Sequence, residues 1–232
     1  MNIILIAGLW LPHTVWQDVI SELHGLGHRP IALALPGVDD GATSSTLDDQ
    51  LAAALAVVDT TTGPVVVVGH SAASTMAWLV ADRRPERVHC AIMIGGFPSA
   101  NGTSYADFFP IVDGAMSFPG WEPFEGPDAA DLDDTARARI VRDAVPVPES
   151  VARGTVTFSD ERRYDVPVVL VCPEYTPEQA RTWIDDGDVP ELARTRRVSF
   201  VDIDSGHWPM ITRPAQLAEL IDAASRLDGL RS

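Results

Sequence analysis

The chain of 232 residues contains no lysine, and all 17 of its basic side chains are arginines. Without a lysine amine, the protein cannot form a Schiff base with a carbonyl substrate or with pyridoxal phosphate, and it has no lysine for a P-loop. No glycine-rich dinucleotide-binding fingerprint follows the first apolar run, which disfavours a nicotinamide-dependent oxidoreductase. We therefore expect no cofactor.

Cysteine is scarce, and long apolar runs are absent. Cys90 and Cys172 are the only cysteines, and each lies in an apolar stretch without a CxxC motif. This pattern predicts two buried strand thiols rather than a zinc site or a redox pair, and it suits a reducing cytoplasm. No apolar run approaches the roughly 20 residues of a membrane-spanning helix, and residues 1–6 resemble a strand rather than a signal peptide.

Positive charge is also in short supply. The formal net charge is −16, from 33 acidic and 17 basic side chains. Such a surface repels phosphate backbones and anionic lipids, so we expect a small-molecule substrate and neither a nucleic-acid nor a membrane partner. None of the Asp-rich stretches has the spacing of an EF-hand loop, and we predict no metal site. The sequence leaves open whether the chain forms a homodimer.

Six short, nearly continuous apolar runs predict a mostly parallel sheet of about six strands, because strands buried on both faces lack polar alternation. Helical patterns lie between most of these runs. The alternation predicts a single α/β domain over residues 1–232, with helices on both faces of the sheet. The expected strands cover residues 3–7, 30–35, 65–68, 90–94, 166–172 and 198–203, and the expected helices cover residues 14–26, 46–58, 72–82 and 215–227.

Residues 97–163 interrupt this alternation. The segment contains no convincing strand, one polar helix around residues 131–145, and Gly and Pro breaks among scattered aromatic side chains. A long excursion between two strands is typical of a lid or binding insertion, and we expect this one to line an apolar pocket. The side chains expected to line the pocket are Trp10, Phe97, Tyr105, Phe108, Trp121 and Trp208.

The most informative motif is Gly-His-Ser-Ala-Ala at residues 69–73, which follows four valines and precedes a helical pattern. A nucleophile elbow needs this strand-turn-helix context, with small residues two positions before and after the serine. A structural serine that caps the helix would explain Ser71, but it would not explain the small Gly69 and Ala73. We therefore predict that Ser71 is a catalytic nucleophile.

A serine hydroxyl attacks a carbonyl poorly unless a base accepts its proton. His207 directly follows the last predicted strand and precedes the last helix, at the sheet edge where Ser71 is expected. A carboxylate after the penultimate strand should orient the imidazole and stabilise its cation. Glu174 is the predicted acid, and Asp107, after the fourth strand, is the alternative.

Acyl transfer also needs two backbone N–H donors for the developing oxyanion. One donor should come from Ala72, the residue after the nucleophile, and the other from the loop after the first strand. In that loop, Gly8 permits a tight turn that would expose the amide of Leu9. Leu9 and Ala72 are therefore the predicted oxyanion hole.

With these residues, the chain resembles the α/β-hydrolase superfamily over essentially its whole length, and within it the branch of plant methylesterases and hydroxynitrile lyases. Three segments carry the resemblance. Residues 7–16 are similar to the His-Gly-Ala-Trp opening of that branch. Residues 205–210 are similar to its Ser-Asp-His-x-x-Met block, and residues 177–183 are similar to its Pro-Glu-x-x-x-x-Trp helix. The resemblance implies a three-layer α/β-hydrolase fold with a small lid insertion and a Ser–acid–His triad.

The chain departs from this branch in three ways. Ala7 replaces a histidine that buttresses the oxyanion loop, the segment around Glu174 is shorter than the usual acid loop, and no lysine can stabilise cyanide. Cyanohydrin cleavage is therefore disfavoured. We expect hydrolysis of a small carboxylic ester through a Ser71 acyl-enzyme. Lactone or thioester hydrolysis, C–C bond cleavage, and ligand binding without turnover stay open as alternatives.

Overall fold

The computed structural model describes residues 1–226 and is built around a parallel β-sheet. The strands are β1 (Asn2–Ile6), β2 (Arg29–Ala32), β3 (Val65–His70), β4 (Val88–Ile94), β5 (Ala115–Met116), β6 (Val147–Pro148), β7 (Val168–Cys172) and β8 (Val198–Asp202). Six of them form one sheet in the order β2-β1-β3-β4-β7-β8, with every neighbouring pair parallel. Each predicted strand has its counterpart in this sheet.

Helices cover both faces of the sheet. They are α1 (Gln17–Gly25), α2 (Leu47–Thr60), α3 (Ala73–Arg83), α4 (Asp134–Asp143), α5 (Glu149–Ala152), α6 (Pro177–Asp185), α7 (Pro190–Ala193), α8 (Pro209–Thr212) and α9 (Pro214–Ser225). Apolar side chains of α1 and α9 share one core cluster, and those of α2, α3 and α6 share the other. The predicted three-layer architecture is therefore confirmed.

All four predicted helices are present, with bounds that differ from the expected ones by one or more residues. The pattern over residues 14–26 predicts one helix, but the segment begins with a 3-10 turn at His13–Trp16 and only then becomes α1. The last predicted helix corresponds to α9, and its predicted final position, 227, lies outside the described residues.

Local side chains define where several helices begin. Thr46 accepts a hydrogen bond from the N–H of Asp49, whose carboxylate in turn accepts from the N–H of Thr46. Thr176 and Gln179 form the same capping box at the start of α6. Such boxes satisfy N–H groups that have no partner inside the helix, so each helix starts at a defined position along the chain.

The prediction that all six strands are buried on both faces is correct for the inner strands and wrong for the edges. Every residue of β3 and β7 is buried. The residues of β2 and β8 are half-buried or exposed, because each of these strands has a neighbour on only one side and the helical layers do not extend fully over it. A continuous apolar run therefore does not by itself distinguish an edge strand from a central one.

The insertion between β4 and β7 contains structure that its sequence pattern does not reveal. The expectation that it holds no strand is wrong, because β5 and β6 pair as a two-residue antiparallel ladder. Strands this short leave no visible alternation in the sequence. Tyr105, Met116 and Val151 of the insertion belong to the same core cluster as Val67 of β3, so the insertion packs onto the sheet.

The two thiols are both buried and free, as predicted. Cys90 lies on β4 and Cys172 on β7. Burial in apolar surroundings raises the pKa of each thiol to about 12, so neither forms a thiolate readily at neutral pH. Their role is packing within the sheet.

A buried ion cluster joins the end of α3 to α7 and to the last turn of the insertion. The guanidinium of Arg163 lies 3.3 Å from Oδ1 of Asp82 and 3.0 Å from Oε2 of Glu191. The indole N–H of Trp78 and the hydroxyl of Tyr164 donate to the same Glu191 oxygen. Because Asp82 and Glu191 are almost fully buried, their charges depend on these partners and, for Asp82, also on its ion pair with Arg83.

Replacing Arg163 with methionine should lower the free energy of unfolding by about 3–5 kcal/mol, because the buried Glu191 loses the cation it pairs with and Asp82 is left with Arg83. The matched control is Arg162→Met: the Arg162 side chain is 66% exposed and pairs with Asp160 at the surface. We expect this control to cost less than about 1 kcal/mol. Urea unfolding followed by tryptophan fluorescence measures both, and equal losses would contradict a special role for the buried cluster.

Candidate active site

Ser71 lies at the carboxyl end of β3, in the turn that connects this strand to α3. Its backbone adopts the left-handed region, with φ at 55°, which residues with a side chain rarely do. Its N–H donates a hydrogen bond of 2.8 Å to the carbonyl oxygen of Ile94, which ties the turn to the end of β4. A strained turn of this kind presents the serine hydroxyl above the sheet edge.

The strand and the helix on either side of Ser71 leave no space for a side chain at position 69. A Cβ atom added to Gly69 would overlap the backbone of Ala73. Ala73 itself is fully buried, so its methyl group fits where the motif more often has glycine. The small residues at positions 69 and 73 thus serve the close packing that the motif predicts.

His207 and Glu174 form a hydrogen-bonded pair at the same sheet edge. Glu174 follows β7 and His207 follows β8, and these strands are neighbours in the sheet. Nδ1 of His207 lies 2.8 Å from Oε1 of Glu174, and the two side chains are 12% and 13% exposed. An ionised carboxylate can only accept, so Nδ1 carries the hydrogen and Nε2 is left as the proton-accepting nitrogen.

The alternative acid, Asp107, lies elsewhere. Its carboxylate pairs with the guanidinium of Arg153 at 3.5 Å, and its side chain is 40% exposed. The structure therefore places Glu174, and not Asp107, behind the His207 ring.

Gly95 and Gly96, which follow β4, connect Ser71 to the His207–Glu174 pair. A Cβ atom added to Gly96 would lie 2.5 Å from the carbonyl oxygen of Ser71. One added to Gly95 would lie 3.1 Å from Nδ1 of His207 and 3.2 Å from Oε2 of Glu174. Two consecutive residues thus contact all three predicted catalytic residues, which brings the three into one small cluster.

The loop after β1 borders the same cluster. A Cβ atom added to Gly8 would lie 3.1 Å from Cβ of Ser71, so the backbone of Gly8 and Leu9 runs beside the serine. Ala72, the other predicted oxyanion donor, directly precedes α3, where backbone N–H groups lack partners inside the helix. Both predicted donors belong to segments that border Ser71.

Trp10 connects this loop to the insertion. Its backbone is also left-handed, with φ at 65°. Its indole N–H donates to the carbonyl oxygen of Met116 at 3.0 Å, and its own carbonyl accepts from the N–H of Val145 at 2.9 Å. The rings of Phe109 and Phe118 each lie 5.4 Å from the Trp10 ring. The conformation of the loop is therefore fixed by side chains and backbone of the insertion.

Two of the predicted pocket residues lie next to His207. The ring of Trp208 is 3% exposed and lies 4.9 Å from the His207 ring. Trp121, in the insertion, contacts Trp208 with 5.4 Å between ring centroids. The insertion is thus linked to the predicted base through Trp208.

The remaining predicted pocket residues lie in different surroundings. Phe97 stacks on Tyr175 with 5.4 Å between ring centroids. Tyr105 is buried in the core, and burial raises the pKa of its phenol. Phe108 is 61% exposed, so its ring can contribute only to the rim of a pocket.

His70 is a site residue that lies in the predicted motif but to which the sequence analysis assigns no role. Its imidazole is 1% exposed, and its Nε2 lies 2.8 Å from the carbonyl oxygen of His207. Burial, together with the nearby His207, holds the pKa of His70 well below its usual value. The signal that could have revealed it is its position directly before Ser71.

Asp128 is a second residue that sequence reasoning missed. It lies in the 3-10 turn Pro127–Ala129 of the insertion, and its carbonyl accepts the N–H of His207 at 2.7 Å. Burial raises the pKa of its carboxyl group, and the charge of Glu174 adds to this effect. Nothing in the local sequence around Asp128 indicates this long-range contact.

The family model of the alpha/beta hydrolase family matches residues 3–220. This chain belongs to that family. It is 25% identical to "Probable hydrolase R7" of Phoma sp., an alignment that covers 94% of this chain and 96% of the relative.

Solved structures share the fold. An extracellular α/β-hydrolase from a Paenibacillus species, described as a structural and functional homologue of tobacco salicylic acid binding protein 2, has a TM-score of 0.79 at 18% identity, covering 97% of this chain and 99% of that one. The methylesterase MES16 of Arabidopsis has a TM-score of 0.76 at 13% identity, covering 98% of this chain and 100% of its own. The expected resemblance to plant methylesterases is confirmed at the level of the fold.

Within residues 1–226, no helix combines the length and the apolar composition needed to cross a bilayer. In the same part of the chain, no three His, Cys, Asp or Glu side chains are grouped so that they could hold a metal ion.

Replacing His70 with glutamine should reduce the loss of unfolding free energy that the wild type shows as the pH falls below neutral. The folded-state pKa of His70 is well below 6.5, so in mildly acidic solution only the unfolded chain binds a proton at this position. The free energy of unfolding of the wild type therefore falls as the pH drops below about 6.5. His70 contributes up to about 1.4 kcal/mol per pH unit to this fall. Glutamine does not titrate. Urea unfolding of both proteins between about pH 7 and pH 5 measures the difference, and parallel profiles would contradict a buried neutral imidazole.

Proposed function

We propose that the protein is a serine hydrolase that cleaves a small carboxylic ester through a Ser71–His207–Glu174 triad. The observation that carries the proposal is the 2.8 Å bond between His207 Nδ1 and Glu174 Oε1, beside a serine held in a strained left-handed turn. A histidine paired with an acid, close to a serine in a nucleophile-elbow turn, supports a triad of this kind.

In the first half of the reaction, His207 Nε2 takes the proton of the Ser71 hydroxyl while Oγ attacks the ester carbonyl carbon. The carbonyl oxygen becomes negatively charged and accepts hydrogen bonds from the amides of Leu9 and Ala72. The tetrahedral intermediate then collapses, the bond to the alcohol oxygen breaks, and protonated His207 gives its proton to the leaving alcohol. The product of this half is an acyl-Ser71 enzyme.

In the second half, His207 accepts a proton from water, and the hydroxyl group attacks the acyl carbon. The intermediate expels Ser71, which regains its proton from His207, and the carboxylic acid leaves. Glu174 does not exchange protons in either half. It keeps the hydrogen on Nδ1 and stabilises the imidazolium that forms in each half.

The side chains around the site support a neutral, fairly apolar substrate. Trp121 and Trp208 bring aromatic surface to His207. The neighbouring Asp128 and Glu174 are acidic, and a substrate with a free carboxylate would be repelled by them. The methylesterase of similar fold acts, by its name, on methyl esters, which supports an ester as the substrate.

The triad is tested by measuring hydrolysis of p-nitrophenyl esters with four variants. Ser71→Ala and His207→Ala should each lower kcat by about 10⁴-fold or more, because either loss removes the activated nucleophile. Glu174→Ala should lower it by about 10²- to 10⁴-fold. Asp107→Ala, the matched carboxylate control, should keep kcat within about twofold, because its side chain pairs with Arg153 at the surface.

A fluorophosphonate probe gives a second readout, since it should label Ser71 in wild type and not in Ser71→Ala. The proposal fails if folded wild-type protein is not labelled. The acid assignment fails if Asp107→Ala loses activity while Glu174→Ala retains it.

Trp121 and Phe108 provide a test of the pocket, since both are aromatic residues of the insertion. Trp121→Ala should lower kcat/KM by about tenfold, mainly through KM, because the variant loses apolar surface next to Trp208. Phe108→Ala should change kcat/KM by less than about threefold, because the Phe108 ring is 61% exposed. Steady-state kinetics with a series of acyl chain lengths measures both, and the reverse order would place the pocket elsewhere.

A further inference from the structure

His70 connects three segments of the candidate site. It is the last residue of β3 and directly precedes Ser71. Its ring centroid lies 4.8 Å from that of His207. A Cβ atom added to Gly8, in the loop that carries Leu9, would lie 2.7 Å from Nδ1 of His70. One buried imidazole therefore contacts the segments that hold the nucleophile, the base and one oxyanion donor.

The hydrogen bond from His70 fixes its protonation state. Its Nε2 lies 2.8 Å from the carbonyl oxygen of His207, and a carbonyl oxygen can only accept. Nε2 must therefore carry a hydrogen. Nδ1 is buried and has no hydrogen-bond partner within residues 1–226, so the ring is the neutral Nε2–H tautomer. Burial and the neighbouring His207 hold the pKa of His70 well below its usual value, in agreement with this assignment.

The backbone of His207 is consequently held on both sides. Its N–H donates to the carbonyl of Asp128 at 2.7 Å, and its carbonyl accepts from His70 at 2.8 Å. The side chain is held in addition by Glu174 through Nδ1. Of these three contacts, the one from His70 links the base to the strand that carries the nucleophile.

We propose that His70 is a positioning residue, whose neutral imidazole sets the distance between His207 and Ser71 by its hydrogen bond to the His207 carbonyl and by its packing against Gly8. The proposal deepens the proposed function, on which it rests. His70 does not touch the reacting atoms and acts through His207. Its loss should therefore lower kcat and leave KM almost unchanged, because a catalytic group misplaced by about 1 Å can cost 10²-fold in rate.

The test compares His70→Leu with His70→Gln. Leucine fills the space without a donor, whereas the amide nitrogen of glutamine can replace the Nε2–H donor. We expect His70→Leu to lower kcat by about tenfold to 10²-fold with KM within about twofold, and His70→Gln to restore most of the loss.

His28 provides a matched control at the opposite end of the sheet. It is also buried, it precedes β2, and its Nε2 lies 2.8 Å from Oδ1 of Asp222. His28→Leu removes a buried imidazole and its hydrogen bond, as His70→Leu does, so both should lower the melting temperature. Only His70→Leu should lower kcat when each variant is assayed well below its own melting temperature.

Three results would overturn the proposal: His70→Leu with kcat within twofold of wild type, His70→Gln no better than His70→Leu, or His28→Leu with an equal loss of kcat.

Crystal structures of the two His70 variants give a readout that needs no turnover. We expect the His207 backbone to shift in His70→Leu and to stay in place in His70→Gln. If wild type hydrolysed no ester, the proposed function would fail, while this displacement would still test the role of His70.

Discussion

The close approach of the chain after β3 to the chain after β4 is the constraint on which the candidate site depends. The N–H of Ser71 donates to the carbonyl of Ile94 at the end of β4. The two residues that follow β4, Gly95 and Gly96, lie against the His207 ring and the serine backbone. Only glycine fits there, because a Cβ atom on Gly96 would collide with Ser71 and one on Gly95 would press on His207. The parallel register of β3 and β4 thus brings Ser71 next to the two glycines that border the predicted base.

The site contains two backbone conformations that are costly for residues with side chains. Ser71 and Trp10 both have positive φ, and such conformations cost on the order of 1–3 kcal/mol each. The fully buried β3 fixes the first, since its neighbours on both sides leave the turn no freedom to relax. The insertion fixes the second through Met116 and Val145. The insertion therefore supports the loop that carries the predicted oxyanion donor Leu9, and is not only a cover over the sheet.

Much of the fold could be predicted from the sequence because sheet strands and amphipathic helices leave periodic patterns in a few consecutive residues. The exposure of the edge strands and the two-residue strands of the insertion could not be predicted, since burial of an edge and pairing of so short a strand depend on distant segments.

Ser71 and His207 were predicted from motif and chain order, and the structure brings them into one cluster. The choice between Glu174 and Asp107 was left open because it depends on which carboxylate reaches the His207 ring in three dimensions. The contact of His70 could not be predicted, because its partner is a backbone carbonyl, which has no side-chain signature.

The charge distribution around His207 favours the proposed chemistry over simple binding of an anion. Glu174 contacts one side of the imidazole, and Asp128 of the insertion lies close enough for Glu174 to raise its pKa. Two acidic groups near the ring stabilise a positive charge that exists only after His207 has taken the serine proton. In the proposed reaction, negative charge develops at the same moment on the substrate oxygen, next to the predicted donors Leu9 and Ala72. If the substrate is a neutral ester, as proposed, it meets no repulsion from these carboxylates on entry and gains both interactions as it reacts, whereas a carboxylate would be repelled before any bond is broken.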